Sequence, residues 1–319
     1  MRDCADALVS IDWLAQALQT QLRPIVLHGE WTAGGTGCAY RDQHIPGALC
    51  IDTDWLEDGY PTWRLLPPEL LQRRFGDAGL RAADTIVVYA EQYPAACRVW
   101  WVLSYCGATD VRVLCGGLNA WRAAGLPVST EPVHRAPADF SALVRSALLA
   151  DRDAAQAAAQ AGCLIDVRSS DEYRGLRSGY SYLERAGRIA GALHGDAQPL
   201  TDLLDRRDLP GIAAYWQASG VLRPTDLQHG KRDASPELVI YCGSGWRSSV
   251  ACFCAQLLGM TGARNYSDGW CGWSTHYVQE SAASGMQSGA TQQNDQQLAA
   301  AGGTPGWRQD TTDNPIASG

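Results

Sequence analysis

The chain has 319 residues, a formal net charge of −8 at pH 7 and 46% hydrophobic residues. This length exceeds that of one average domain and fits two, with enough apolar residues for two cores. The acidic balance offers no basic surface, so we expect neither nucleic acid nor a membrane as a partner. Lys231 is the sole lysine, and the arginines that supply the other positive charges present planar forks suited to oxyanions.

Two further features bear on the cellular compartment. The N-terminal stretch MRDCADALVS lacks the apolar region of a signal peptide, and no segment approaches the roughly 18 apolar residues of a membrane span. The eleven cysteines are odd in number and show no regular metal-ligand spacing. We therefore expect a cytoplasmic protein with reduced thiols, most of them core residues, and no metal.

In chain order, the first half alternates short apolar runs with helix-length segments. PIVLHGEW (24–31) precedes HIPGALCID (44–52), the helix-like PPELLQRRFGDAGL and then the strand-like TIVVY (85–89). The second half repeats this order with CLIDVRSSDEY (163–173), GRIAGALHGD (187–196) and ELVIY. Apolar runs that alternate with turns and helices are typical of βαβ units, so we predict an α/β fold with parallel sheets.

The repeat also predicts the domain organisation. Residues 85–121 align without a gap with residues 237–273, so that Tyr89 matches Tyr241 and Trp121 matches Trp273. A Pro-containing stretch without periodicity separates the halves, and the polar C-terminal residues are nearly free of large apolar groups. We predict four parts: an N-terminal domain (1–127), a linker (128–139), a C-terminal domain (140–282) and a flexible polar tail (283–319).

The stretch YCGSGWRSS (241–249) begins at the last residue of the predicted strand ELVIY. It contains a candidate nucleophile, Cys242. The first half has Ala90 in place of Cys242 and Ala95 in place of Arg247. Because only one half has both reactive groups, a catalytic role for Cys242 is favoured over a structural thiol at a tight turn.

The turn itself favours a reactive thiolate. Gly243 and Gly245 allow successive backbone N–H groups to face inward, and the following helix directs its N-terminus to the same place. These groups stabilise a thiolate that attacks as a nucleophile at neutral pH. Arg247 adds a positive charge for an anionic substrate, so we predict both Cys242 and Arg247 to be catalytic.

The chain resembles the tandem-domain rhodaneses, the thiosulfate and 3-mercaptopyruvate sulfurtransferases. The resemblance spans roughly residues 5 to 280 and rests on HIPGA, LIDVRSSDEYRG, GRIAGALHG, LVIYCGSGWRSS and YSDGWCGWS. It implies two tandem domains, each a five-stranded parallel sheet flanked by helices, with the active site between them. It also implies that Cys242 carries a sulfane sulfur as a persulfide, without a cofactor, to a thiol, a thioredoxin-like protein or cyanide.

The donor and the class of activity remain open at this point. The start of the loop, Cys-Gly-Ser-Gly, looks like mercaptopyruvate sulfurtransferases, whereas Arg247-Ser248 is more like single-domain rhodaneses. We expect 3-mercaptopyruvate as donor, with a preference for thiosulfate as the alternative. A sulfur-relay carrier that docks a partner protein is a second alternative. A phosphatase is disfavoured because only four residues separate Cys242 from Arg247, fewer than the five typical of the wider phosphate cradle.

The resemblance also assigns further site residues. Ser244 and His44 are candidates for moving protons, although His44 can equally be structural. Arg174 and Arg185 are the best candidates for holding the donor carboxylate, with an exposed surface arginine as the alternative for each. Trp246 is expected either to shield the persulfide or to pack in the core. The loop positions expected to bind substrate are Gly243, Gly245, Trp246 and Ser248.

Overall fold

The computed structural model describes residues 4–21, 23–31, 39–223 and 237–275, so the predicted tail at 283–319 lies outside the described residues. Each half of the described chain contains one parallel β-sheet flanked by helices. The predicted α/β fold with a tandem repeat is therefore confirmed.

The N-terminal half is built on a five-stranded sheet in the order β1-β5-β4-β2-β3, in which every neighbouring pair is parallel. Its strands are β1 (Leu8–Val9), β2 (Ile25–Glu30), β3 (Leu49–Asp52), β4 (Thr85–Tyr89) and β5 (Asp110–Leu114). Strand β4 has the sequence TIVVY and lies between two neighbours with four of its five residues buried. A run of β-branched residues without polar alternation is what such a central parallel strand requires.

The helices of this half connect those strands. They are α1 (Ile11–Ala17), α2 (Ala39–Asp42), α3 (Pro68–Asp77), α4 (Tyr93–Tyr105) and α5 (Gly117–Ala123), with 3₁₀ turns at Cys4–Ala7 and Thr53–Leu56. Helix α4 follows β4, and all but one of its thirteen residues are buried. A helix that is apolar on every side must be covered by other elements, and here the second half supplies that cover.

The C-terminal half has a four-stranded sheet in the order β7-β6-β8-β9. Its strands are β6 (Leu164–Asp166), β7 (Leu193–His194), β8 (Val239–Tyr241) and β9 (Arg264–Tyr266), and its helices are α6 (Arg152–Ala161), α7 (Ser170–Tyr173), α8 (Ala197–Asp205), α9 (Leu209–Ala218) and α10 (Trp246–Leu257). A 3₁₀ turn at Ser146–Leu148 precedes a single parallel bridge between Leu149 and Asn265. The expected fifth strand is thus reduced to one bridge in the described residues.

The two halves share one apolar core. Helix α4 of the first half packs on α10 of the second, where the rings of Trp100 and Phe253 lie 4.8 Å apart. Their buried side chains belong to one continuous cluster that includes Cys97, Cys252 and Cys254. Burial raises the pKa of all three thiols, so they stay protonated at neutral pH and pack as core side chains.

The predicted linker, residues 128–139, forms neither helix nor strand and lies against the N-terminal half. Ser129 and His44 exchange two backbone hydrogen bonds of 2.8 Å each, and the Ala138 N–H donates to Gly76 O at 2.8 Å. Gly76 permits this approach, because a Cβ at that position would lie 2.6 Å from Ala138 O.

Among the helices of the described residues, none has both the length and the apolar character needed to cross a bilayer.

Candidate active site

Cys242 lies where the central strand β8 ends and just before α10 begins. Its side chain is buried, and its Sγ is 3.5 Å from Ser248 Oγ in the first turn of α10. The intervening turn ends at Gly245, whose φ of 92° is in the left-handed region that glycine adopts without strain. The corresponding strand of the first half, β4, leads instead to Ala90.

The carbonyl groups of this turn, which we call the cysteine loop (residues 242–245), are bound from outside. Trp270 N donates to Cys242 O at 2.7 Å, and Cys271 N donates to Gly243 O at 3.0 Å. In a trans peptide the C=O and the following N–H point in opposite directions. The N–H groups of Gly243 and Ser244 are therefore turned inward, and neither has a hydrogen-bond partner in the described part of the chain. Such a set of free amides binds an anion.

Ser248 links the thiol to a fixed side chain. Asn265 donates through Nδ2 to Gly245 O at 3.1 Å and to Ser249 Oγ at 3.1 Å, which orients its Oδ1 toward Ser248. Ser248 Oγ donates its single proton to that oxygen at 2.7 Å. The lone pairs of Ser248 Oγ are thus left to face Cys242, whose S–H can donate to them.

Arg247 is paired rather than free. Its Nη1 and Nη2 donate to the two carboxylate oxygens of Glu172, both at 2.7 Å, and Nη2 also donates to Tyr180 Oη at 2.5 Å. Burial alone raises the pKa of Glu172, but the hydrogen bonds and charge of Arg247, with contacts from Ser169, lower it to about 2. Glu172 is therefore ionised at neutral pH. The predicted positive charge is present beside Cys242, but a carboxylate compensates it.

Glu172 and Tyr180 were not predicted from the sequence. Glu172 belongs to a capping box at the start of α7, where Ser169 is the N-cap. The Ser-x-x-Glu spacing in SSDE is a readable signal for that cap, but not for the contact with Arg247. Tyr180 covers the cysteine loop so closely that a Cβ at Gly243 would lie 2.0 Å from its hydroxyl. This contact explains why the residue after Cys242 is glycine.

Two further tyrosines extend from Tyr180 to the surface. The rings of Tyr180 and Tyr182 are 5.5 Å apart, and those of Tyr182 and Tyr60 are 5.9 Å apart. Ser244 and Cys271 lie close enough to Tyr182 to influence the pKa of its hydroxyl, which burial raises. Tyr60 is 72% exposed. This tyrosine row (Tyr180, Tyr182 and Tyr60) connects the cysteine loop with solvent.

Trp246 contacts the other half of the molecule. Its Nε1 donates to Glu57 Oε1 at 2.8 Å, and its ring meets Trp31 edge to face with 5.5 Å between centroids. Both partners belong to the N-terminal half. The indole therefore lies in the interface between the halves, beside the cysteine loop.

The remaining predicted residues are held elsewhere. Both ring nitrogens of His44 lie against backbone carbonyls, Nδ1 at 2.7 Å from Tyr40 O and Nε2 at 3.1 Å from Glu131 O, and the ring stacks on Tyr40. His44 thus has the contacts of its structural alternative within the N-terminal half, and its proton-transfer role stays a prediction. Its nitrogens are already occupied.

The two arginines expected to hold the donor carboxylate are both exposed. Arg174 pairs with Asp171 one helical turn away at 3.1 Å, and 60% of its side chain is exposed. Arg185 supports the site through its backbone, because its carbonyl accepts a hydrogen bond of 2.9 Å from Trp270 Nε1. Arg174 thus has the environment of an exposed surface arginine, the alternative that the sequence left open, and its role in holding the donor stays a prediction.

The fold and this site define a class of protein: a duplicated α/β protein with one nucleophilic cysteine at the end of a central parallel strand. The family described as rhodanese-like domain matches residues 22–124 and 148–276. The chain therefore belongs to the rhodanese family, with one such domain in each half, as the sequence motifs predicted.

Curated relatives are sulfurtransferases. Thiosulfate sulfurtransferase YnjE of Escherichia coli is 32% identical over 288 residues, which cover 85% of this chain and 63% of YnjE. The probable 3-mercaptopyruvate sulfurtransferase of Pseudomonas aeruginosa is 33% identical over 250 residues, which cover 74% of this chain and 83% of that protein. The chain thus spans less than two thirds of the length of YnjE.

Similar solved structures include a persulfide-bearing protein and an ergothioneine biosynthesis enzyme. EanB with a cysteine persulfide and ergothioneine has a TM-score of 0.74 and 29% identity, covering 85% of this chain and 69% of EanB. The anaerobic ergothioneine biosynthesis enzyme of Chlorobium limicola, in complex with its natural substrate trimethyl histidine, has a TM-score of 0.72 and 29% identity, covering 85% of this chain and 68% of that chain.

Proposed function

We propose that this protein is a sulfurtransferase in which Cys242 carries sulfur as a persulfide. The observation that carries this proposal is the geometry of the cysteine loop. The carbonyls of Cys242 and Gly243 are bound from outside by the N–H groups of Trp270 and Cys271, so the N–H groups of the same two peptides face inward. These amides suit a thiolate before the reaction and a persulfide anion after it. The curated relatives of this chain act in the same reaction class.

The chemistry takes place in two steps. The Cys242 thiolate attacks the donor sulfur and forms an S–S bond. With mercaptopyruvate the C–S bond breaks and the enolate of pyruvate leaves, which takes up the proton of the donor's thiol group. With thiosulfate the S–S bond breaks and sulfite leaves. A thiol acceptor then attacks the outer sulfur, and the thiolate of Cys242 is released. Between the two steps the sulfur is held covalently as the Cys242 persulfide, and we propose that the cycle uses neither a metal nor an organic cofactor.

We propose 3-mercaptopyruvate as the preferred donor. Thiosulfate carries two negative charges and mercaptopyruvate one, so an uncompensated cation beside the thiolate favours thiosulfate. Here Glu172 neutralises the guanidinium of Arg247 with two hydrogen bonds. The reduced positive charge favours the monoanion.

The test compares sulfur release from 3-mercaptopyruvate and from thiosulfate, with a thiol acceptor, for the wild type and Cys242→Ser. We expect turnover of mercaptopyruvate that falls at least about 10³-fold in the mutant, because the nucleophile is lost. Cys254→Ser, which changes a buried core thiol of α10, is the matched control and should retain activity. Turnover that persists in Cys242→Ser would contradict the proposal.

A second acceptor is favoured by the tyrosine row. Aromatic faces attract quaternary ammonium groups, and three tyrosine rings connect the cysteine loop with solvent. Transfer of the persulfide's outer sulfur to an imidazole carbon would exchange a C–H bond for a C–S bond and regenerate the Cys242 thiol. We expect trimethyl histidine to gain one sulfur atom when incubated with the persulfidated protein, as measured by mass spectrometry. An unchanged mass, with transfer to thiols intact, would exclude this acceptor.

A further inference from the structure

The N-terminal half has alanine at the position of Cys242, yet it places an ion pair against the cysteine loop. Arg98 of α4 and Glu57, which follows the 3₁₀ turn Thr53–Leu56, have side chains with no exposed surface. Arg98 Nη2 and Nε lie 2.8 and 3.0 Å from Glu57 Oε1. Glu57 therefore fixes the guanidinium from within its own half.

The remaining donors of Arg98 extend into the C-terminal half. Nη1 donates to Gly245 O at 3.4 Å, and Nη2 donates to Ser267 Oγ at 3.0 Å. Glu57 Oε1 in turn accepts the indole N–H of Trp246 at 2.8 Å. The ion pair thus contacts both residues of the Gly245–Trp246 peptide, which joins the cysteine loop to α10.

The direction of this peptide decides what the loop presents to sulfur. Besides Arg98, Gly245 O accepts side-chain hydrogen bonds from Asn265 Nδ2 at 3.1 Å and from Ser249 Oγ at 2.7 Å. It also accepts the first backbone hydrogen bond of α10, from Ser249 N at 3.2 Å, so among the described residues Arg98 is the one donor to this oxygen that comes from the N-terminal half. The N–H of the next residue must point the opposite way. Fixing Gly245 O on the outside of the loop therefore turns the Trp246 N–H to the inside, with those of Gly243 and Ser244.

We propose that Arg98, held by Glu57, is a positioning residue for sulfur transfer at Cys242, because it orients the Gly245–Trp246 peptide so that the Trp246 N–H faces the reacting sulfur. The inference rests on the proposed function and assigns part of it to the half that has no nucleophile. The N-terminal half then completes the catalytic loop from outside.

Stability alone does not account for this pair. Burying two charges is costly, and an apolar pair of similar volume would often stabilise a fold as well. Glu57 Oε2 is buried without a hydrogen-bond partner among the described residues, which adds to the cost. Burial also raises the pKa of Glu57 to about 7, with a contribution from Asp54, although Arg98 and Trp246 oppose the rise. Contact with the cysteine loop gives the pair a reason to be retained.

The test replaces Arg98 by methionine, which keeps the length of the side chain and removes its donors. We expect kcat for sulfur transfer to fall by about 30-fold or more, as expected when an oriented donor to a developing charge is lost, while KM changes less than about threefold. The pH midpoint for alkylation of Cys242 by iodoacetamide, followed on its own peptide by mass spectrometry, should move to higher pH. Arg98→Lys should restore part of both, because an ammonium group can still donate to Gly245 O.

Arg112→Met is the matched control, because Arg112 forms an ion pair of 3.0 Å with Asp110 on β5 of the same half. It should leave kcat and the alkylation profile unchanged. If Arg98→Met does not fold, Glu57→Gln keeps the shape of the partner and should shift both readouts in the same direction. Folded Arg98→Met, or folded Glu57→Gln in its place, with wild-type kcat and alkylation would overturn the inference.

The two readouts also separate this inference from the proposed function. Absence of sulfur transfer in the wild type from any donor would contradict the function. The alkylation midpoint of Cys242 requires no turnover, so it still shows whether Arg98 orients the loop.

Discussion

At the scale of residues, the charge at the active site is set by a triad of side chains instead of Arg247 alone. Arg247, Glu172 and Tyr180 are joined by three hydrogen bonds within 2.7 Å. The motif predicts Cys242 and Arg247 as site residues, because both lie in one short stretch. Glu172 is 75 positions away from Arg247, and nothing in a single sequence states which carboxylate meets which guanidinium. The same reason left both roles of His44 open, since its carbonyl partners are set by the fold.

The pairing predicts how the donor preference can be changed. Glu172→Gln keeps the shape of the side chain and leaves the charge of Arg247 uncompensated beside Cys242. We expect the ratio of kcat/KM for thiosulfate to that for 3-mercaptopyruvate to rise about tenfold, which corresponds to about 1.4 kcal/mol. Steady-state kinetics with both donors measure it.

Asp171→Asn is the control for Glu172→Gln. Asp171 of α7 pairs with Arg174, the residue that follows this helix, but 41% and 60% of the two side chains are exposed, so the pair contributes little. The donor ratio should remain within about twofold of the wild type in this control. An unchanged ratio in Glu172→Gln would mean that the charge of Arg247 does not select the donor.

At the scale of elements, the site depends on the short turn that connects strand β8 to helix α10. Strand β8 ends at Tyr241 and α10 begins at Trp246, so the cysteine loop must reverse direction within four residues. Gly245 makes this possible through its left-handed φ and its contact with Arg98 and Ser267. The alternation of strands and helices could be predicted, because apolar runs and turns are local features. The shortening of the fifth strand in the second sheet could not, because it depends on pairing with Asn265.

Gly245→Ala tests this account of the turn. A Cβ there would lie 2.6 Å from Arg98 Nη1 and 2.7 Å from Ser267 Oγ, at a φ of 92°. We expect the free energy of unfolding to fall by about 2 to 4 kcal/mol and sulfur transfer to be lost. Denaturant unfolding and donor kinetics measure these effects.

Gly259→Ala provides the comparison at the other end of α10. Its φ of +82° is also left-handed, but no atom lies within 4 Å of a Cβ at this position. Only the conformational cost of about 1 to 2 kcal/mol should appear, with activity retained. Equal effects on activity from the two substitutions would show that the contacts of Gly245 are irrelevant to the site.

At the scale of the whole molecule, two copies of one fold have taken different roles. The repeat with Ala90 in one half and Cys242 in the other predicted a single active site. The sequence did not reveal what the other half contributes, because Glu57 and Arg98 carry no motif and reach the loop only when α4 packs on α10. The buried ion pair and the shared core make the halves one functional unit.

The central claim is that Cys242 holds the transferred sulfur. The most direct measurement treats the full chain with 3-mercaptopyruvate in the absence of an acceptor and analyses its peptides by mass spectrometry under non-reducing conditions. The account predicts that the Cys242 peptide gains the mass of one sulfur atom and loses it when a thiol is added. A Cys242 peptide of unchanged mass, in protein that still releases pyruvate, would contradict it.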